Sequence, residues 1–340
     1  MMKNNLFIFF ISIIFFASCE KEDTAIVLPS PGSLEHQSVS LGSNFEYQAY
    51  VSLGNNSIVT RDYMHAYDLA FEASSQGTRV YLNNARMMFA CNTGSLDISV
   101  ADSSGKHWRF DQEKLNPDST AIGNWWIAAA TQNNISNVFY IDRGAQILGN
   151  DRYKKFQILS VTNLKYRVRF SNCDNNGVVE IDVPKDTTYS LMYLSFDNGG
   201  KVVQVAPPKD QWDFVFTRYT HEYFEYPESS PYRHYTVTGA LLNVWNDVQG
   251  CKNKLDSTPN YVAFDSCNAN YMNQYLFSKQ ADIIGYDWKY YVINDNHYYL
   301  TPNLYFIIQD KNGFYYKLRI LDYYDPQGNR GTVTFQYQRM

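Results

Sequence analysis

The chain has no apolar run long enough to cross a bilayer as a helix, which takes about 20 residues. Its longest such run, Leu6 to Phe16, stops short of that and cannot be a spanning helix. No long stretch of 3.6-residue apolar periodicity occurs either, which argues against a helical architecture. None of the five cysteines forms a Cys-x-x-Cys pair, so that kind of zinc or redox site is excluded. The phosphate-binding glycine loop, the Gly-x-Ser-x-Gly elbow and the dinucleotide glycine fingerprint are all missing, and with them the usual enzyme signatures. His221-Glu222 opens like a zinc-protease motif, but Glu225 stands where the second histidine is needed. Asp174-Asn175-Asn176-Gly177 lacks the distal glutamate of a calcium loop and reads as a turn. The formal net charge of −5 provides no strong basic field, which argues against a nucleic-acid partner.

What is present begins with an address. Lys3, the apolar run and then Ala17-Ser18-Cys19 have the form of a secretory signal peptide (residues 1–18) ending in a bacterial lipobox. Cys19 is then the expected lipidation site, and acyl chains there would hold the protein at a membrane. Glu20 to Asp23 is acidic, and the Pro/Ser/Gly-containing segment behind it has little apolar content, so residues 19–40 read as a flexible tether. Export would expose Cys91, Cys173, Cys251 and Cys267 to an oxidising environment. One disulfide in each half and four free buried thiols both remain open, because four cysteines allow three pairings.

From Leu41 the chain reads as short strands broken by turns. Asn175-Asn176-Gly177, Asp197-Asn198-Gly199-Gly200 and Asp310-Lys311-Asn312-Gly313 are turn signals of the hairpin kind. Trp125-Trp126-Ile127 and Leu96 to Val100 are expected strands, and Cys267 to Phe277 is an expected short helix. In Trp212-Asp213-Phe214-Val215-Phe216-Thr217-Arg218-Tyr219, strand alternation places Trp212, Phe214 and Phe216 on one face. A weaker copy, Tyr67-Asp68-Leu69-Ala70-Phe71-Glu72, lies upstream.

Two further blocks keep the same order. Tyr50 to Asn55 precedes Tyr67-Asp68 as Tyr193 to Asn198 precedes Trp212-Asp213, and Tyr153 to Leu159 closes the first half as Tyr315 to Leu321 closes the second. Ordered repetition of this kind points to duplication of one β module. The expected fold is all-β, with two related antiparallel modules at 41–180 and 186–340.

Six histidines occur: His36, His65, His107, His221, His234 and His297. Haem iron takes His or Met ligands within apolar and aromatic pockets, and the second half offers His221, His234, Met272 and His297 among many tyrosines.

The Trp212–Tyr219 block resembles the HmuY family of β-rich, haem-binding surface lipoproteins of Bacteroidota-type bacteria. So do Asn312-Gly313-Phe314-Tyr315-Tyr316-Lys317-Leu318-Arg319-Ile320, Asp322-Tyr323-Tyr324, Gly328 and Gly331 to Tyr337. The resemblance covers most of the second half and is echoed faintly in the first. It implies capture of haem from host haemoproteins and delivery to an outer-membrane TonB-dependent receptor, with the protein lipid-anchored at the cell surface and no chemical step. It also implies two axial ligands between the tryptophan-aspartate strand and the closing hairpin. Met272 and His297 lie nearest the family's positions, with His221 and His234 in the same window. The local sequence around His297 departs from the haem-binding members. A non-catalytic surface lipoprotein that binds a glycan or a protein on the same scaffold is the alternative expectation.

Overall fold

The computed structural model describes residues 30–340. The expected signal peptide, Cys19, the acidic run and the start of the expected tether lie outside the described residues. Antiparallel sheets dominate, in agreement with the expected all-β, HmuY-like class.

Two five-stranded sheets form the outer layers. One runs, in spatial order, through Val179–Pro184, Lys165–Asn172, Tyr153–Val161, Phe139–Asp142 and Phe89–Asn92. The other runs through Leu34–Ser40, Arg330–Arg339, Tyr315–Tyr324, Leu304–Gln309 and Gln249–Lys254. Leu34–Ser40 corrects the expected tether. It pairs in unbroken register with Arg330–Arg339, from Leu34↔Gln338 to Ser40↔Thr332, because that edge offers unpaired backbone groups and Val39 can be buried there.

Between these layers lie two four-stranded sheets, and they exchange hairpins. Leu69–Glu72 and Val80–Leu82 pair with the Leu191–Ser195 and Lys201–Val203 hairpin, which belongs to the second half of the sequence. Phe214–Glu222 and His234–Leu242 pair instead with Tyr47–Ser52 and Ser57–Tyr63, from the first half.

The cores follow this exchange rather than the expected division at 180–186. One core collects Leu69, Phe71, Phe139, Phe156, Tyr166 and Phe196 from a continuous stretch. The other draws Val39, Ala49 and Val51 together with Phe214, Phe216, Phe306, Phe335 and Tyr337, from the two ends of the chain. A third cluster, including Tyr50, Tyr81, Tyr193, Trp212, Val215 and Tyr219, fills the space between the two four-stranded sheets.

Trp212 is therefore not on the Phe214/Phe216 face. It precedes the strand, which begins at Phe214, and its ring turns into the inter-sheet cluster against Tyr50, 4.9 Å between centroids. Trp125–Ala129 is a short helix, not a strand; Trp125 is buried, and its Nε1 donates to the Thr78 carbonyl at 2.7 Å. Residues 96–100 are a turn region, where Asp97 Oδ1 accepts from the Ser99 amide and hydroxyl. The expected short helix at 267–277 is a 3-10 segment, Ala269–Gln274. Cys91, Cys173, Cys251 and Cys267 are all free thiols.

Candidate functional site

A groove of about 470 Å³ opens where a loop of the first core faces the end of a hairpin of the second, within the range of about 300–1,000 Å³ usual for small-ligand sites. Lys106, His107, Trp108, Arg109 and Phe110 line one side; Glu222, Arg233 and His234 line the other.

The loop is held by its backbone. Arg109 exchanges two hydrogen bonds of 2.8 Å with Ala90, extending the edge of the Phe89–Asn92 strand. Asp111, directly after Phe110, is buried and accepts from the Leu82 and Ala121 amides at 2.5 Å. Burial pushes its carboxyl up to about 6. Its fixed position sets where the preceding aromatic and basic side chains emerge.

On the facing hairpin, His234 stands directly opposite Glu222 in the ladder. Arg233 Nε donates to Glu222 Oε1 at 2.7 Å and Nη1 donates to the Tyr226 carbonyl at 2.7 Å, so the guanidinium is fixed at the rim. The His234 ring meets the Phe110 ring edge-on at 4.6 Å and that of Phe89 at 5.2 Å. Burial lowers its pKa despite the Glu222 carboxylate, whose Oε1 is 4.0 Å from Nε2. A neutral imidazole in an aromatic setting is the form that can ligate a metal.

The other expected ligands are dispersed. His221 lies next to His234 on the paired strand, but its Nδ1 is 3.0 Å from Glu113 Oε1, and its ring packs against Tyr223 and Tyr286, each at 4.7 Å. His297 stacks on Tyr324 at 4.4 Å with 8° between the rings. Met272 is buried with Cys251, Phe264, Cys267 and Tyr275 in a separate cluster. Sequence reasoning passed over His107 and its neighbours. The available signal was the alternation of basic and aromatic residues in Lys106-His107-Trp108-Arg109-Phe110. Among the described residues, no group of three or more His, Cys, Asp or Glu side chains could hold a bare metal ion.

The sheets define an all-β protein, and the groove opens where its two cores meet. Residues 187–337 match the family model described as HmuY protein. Among solved structures, apo PinO from Porphyromonas gingivitis is similar over 91% of this chain and 97% of its own, at 9% identity and a TM-score of 0.28. An apo HmuY analogue from Tannerella forsythia covers 48% of this chain and 83% of its own, at 15% identity and a TM-score of 0.21. No curated protein matches the chain significantly.

Proposed function

We propose that this chain is a surface lipoprotein that captures haem in the groove between its two cores. The observation carrying this reading is His234, set edge-on to Phe89 and Phe110, with His107 and three cations around the same groove; burial lowers the His234 pKa and so favours its ligating form. Haem supplies an iron that needs only one or two axial side chains from the protein, unlike a bare metal ion, together with a flat apolar ring and carboxylates at its edge. The residues present fit those demands. His234 and His107 offer the imidazoles, Phe89, Trp108 and Phe110 the apolar walls, and Lys106, Arg109 and Arg233 the charges that would meet the carboxylates. Met272 and His297 are less suited as a pair, since one is enclosed in a core cluster and the other is stacked on Tyr324. In this reading Cys19 anchors the protein to the outer membrane, and haem taken from host haemoproteins passes to a TonB-dependent receptor. The family match of residues 187–337 supports it. No chemical step is required.

Titration of the purified chain with haemin tests the proposal. The expected result is a shifted Soret band at micromolar protein, lost in His107→Ala/His234→Ala and retained in Met272→Ala/His297→Ala. An unshifted wild-type spectrum would remove haem from the account, whereas loss only in the second pair would move the site.

A further inference from the structure

We propose that a second pocket, in the first core, binds a neutral saccharide. It has a volume of about 530 Å³ and shares Trp108 with the groove. Trp108, Tyr140 and Tyr153 supply its aromatic surface, and Asn150, Asn172 and Asp174 its polar groups. No lysine or arginine is among its lining residues, in contrast to the neighbouring groove with Lys106, Arg109 and Arg233, and the two cations beside it are already paired, Lys154 with Asp151 and Arg152 with Asp142. A ligand defined by carboxylates is therefore poorly served here, and one with hydroxyls is well served.

The geometry narrows the class further. Trp108 and Tyr153 meet at 63° with centroids 6.4 Å apart, forming a corner rather than a parallel slot. A flat conjugated ring would prefer parallel walls. A puckered pyranose, with an apolar C–H face and a rim of hydroxyls, fits a corner with polar groups at its edge. Tyr140 donates its hydroxyl to the Ala101 carbonyl at 3.3 Å, so what it offers a ligand is its ring. Tyr153 is 38% exposed at the start of its strand; the Arg152 guanidinium lies 5.1 Å over its ring, so a ligand would use the remaining exposed surface.

The polar groups are oriented in advance. Lys154 Nζ occupies Asn172 Oδ1 at 2.5 Å, which leaves the Nδ2 donor uncommitted. Asp174 accepts from the Asn176 amide and side chain at 2.9 and 3.0 Å. These bonds hold its carboxyl below the usual range and leave each oxygen a further lone pair. An amide donor beside a fixed carboxylate can bind hydroxyls that both give and accept hydrogen bonds.

The test is calorimetric titration of the full chain with neutral hexoses, N-acetylhexosamines and their short oligomers, with haemin titration in parallel. Binding in the millimolar to micromolar range is expected for at least one of them. Tyr153→Ala and Asn150→Ala should each weaken it about tenfold or more, and Tyr153→Phe should retain it because the ring face is kept. The Soret response of Tyr153→Ala should match wild type, and His107→Ala/His234→Ala should bind saccharide normally, so the two sites stand or fall separately. No heat with any neutral saccharide, binding confined to acidic sugars, or unchanged affinity in Tyr153→Ala would each overturn the assignment.

Discussion

Asp68 and Asp213 occupy corresponding places in the two cores, and each clamps a hairpin that comes from the other half of the chain. Asp68 Oδ2 accepts from the Phe196 amide at 2.7 Å, and Asp213 Oδ2 accepts from the Leu53 amide at 2.7 Å. Asn83 and Asn243 repeat the correspondence. Asn83 Nδ2 donates to the Met64 and Tyr67 carbonyls, and Asn243 Nδ2 to those of Lys209 and Trp212. The electrostatics differ. Asp68 is fully buried between Arg143 and Arg86, with Arg143 Nε at 2.7 Å and Arg86 Nη1 at 2.8 Å. Asp213 has no such ion pair among the described residues and is near the like-charged Asp310; burial, aided by that neighbour, raises its pKa to about 6.

Replacing these aspartates should therefore have unequal effects. Asp68→Asn leaves the buried Arg86 without its carboxylate and Arg143 with only the half-exposed Asp197, and should cost about 3–5 kcal/mol. Asp213→Asn retains an acceptor for the Leu53 amide and removes an ion that burial disfavours, so it should change stability by less than about 1 kcal/mol at pH 6. Urea denaturation of both variants measures the difference; equal losses would contradict it.

Asp213 also gives stability a pH dependence of definite sign. A carboxyl whose folded pKa exceeds its unfolded value binds protons more tightly when folded, so its contribution is fully present below about pH 4 and is lost as pH rises to about 6. The span is about 2 kcal/mol after allowance for partial solvent contact. Asp111 acts in the same direction over the same window. Unfolding free energies measured from pH 4 to 7 should fall more steeply for wild type than for Asp213→Asn. A parallel pair of curves would count against the argument.

The exchanged hairpins tie the two cores to one another. Removing the Tyr47–Tyr63 hairpin would uncover the Phe214–Glu222 edge, and the same holds for the Leu191–Val203 hairpin and Leu69–Glu72. The expected outcome is a single cooperative unfolding transition, with coincident curves from a variant keeping only Trp125, in the first core, and one keeping only Trp288, in the second. Two separated transitions would show that the cores unfold independently.

Gly239 marks a close backbone approach in the second core. A Cβ there would run into the Gly285 carbonyl oxygen, which accepts from the Ala240 amide at 3.0 Å and from Trp288 Nε1 at 3.1 Å. Gly239→Ala should break both bonds and cost about 2–4 kcal/mol, read as a lowered urea midpoint with an unchanged slope. A stability equal to wild type would mean that the backbone yields there at no cost.

Much of this architecture was legible in the residues. Turn chemistry marked the 197–200 and 310–313 hairpins, alternation marked the strands around Phe214 and Phe335, and the placing of Asp68 and Asp213 in a repeated block agrees with their matching hydrogen bonds. Leu34–Ser40 was not, because its alternation is mostly polar and it is a strand only by virtue of the edge it covers. The site was half legible. His234 was among the four candidate ligands, behind Met272 and His297, and its partners in the groove lie more than a hundred positions upstream on a loop anchored by Asp111; no local pattern records which side chains face each other across two cores.

The sequence by itself determined the β class and the punctuation of the hairpins. These rest on short-range preferences, namely side-chain alternation and the turn chemistry of Asn, Asp and Gly. Only the tertiary structure decided which hairpin joins which sheet, which aspartate receives arginine partners, and that His107 and His234 share a groove. Those outcomes depend on contacts between residues far apart in the chain, where packing and desolvation choose among pairings that local propensity leaves equal.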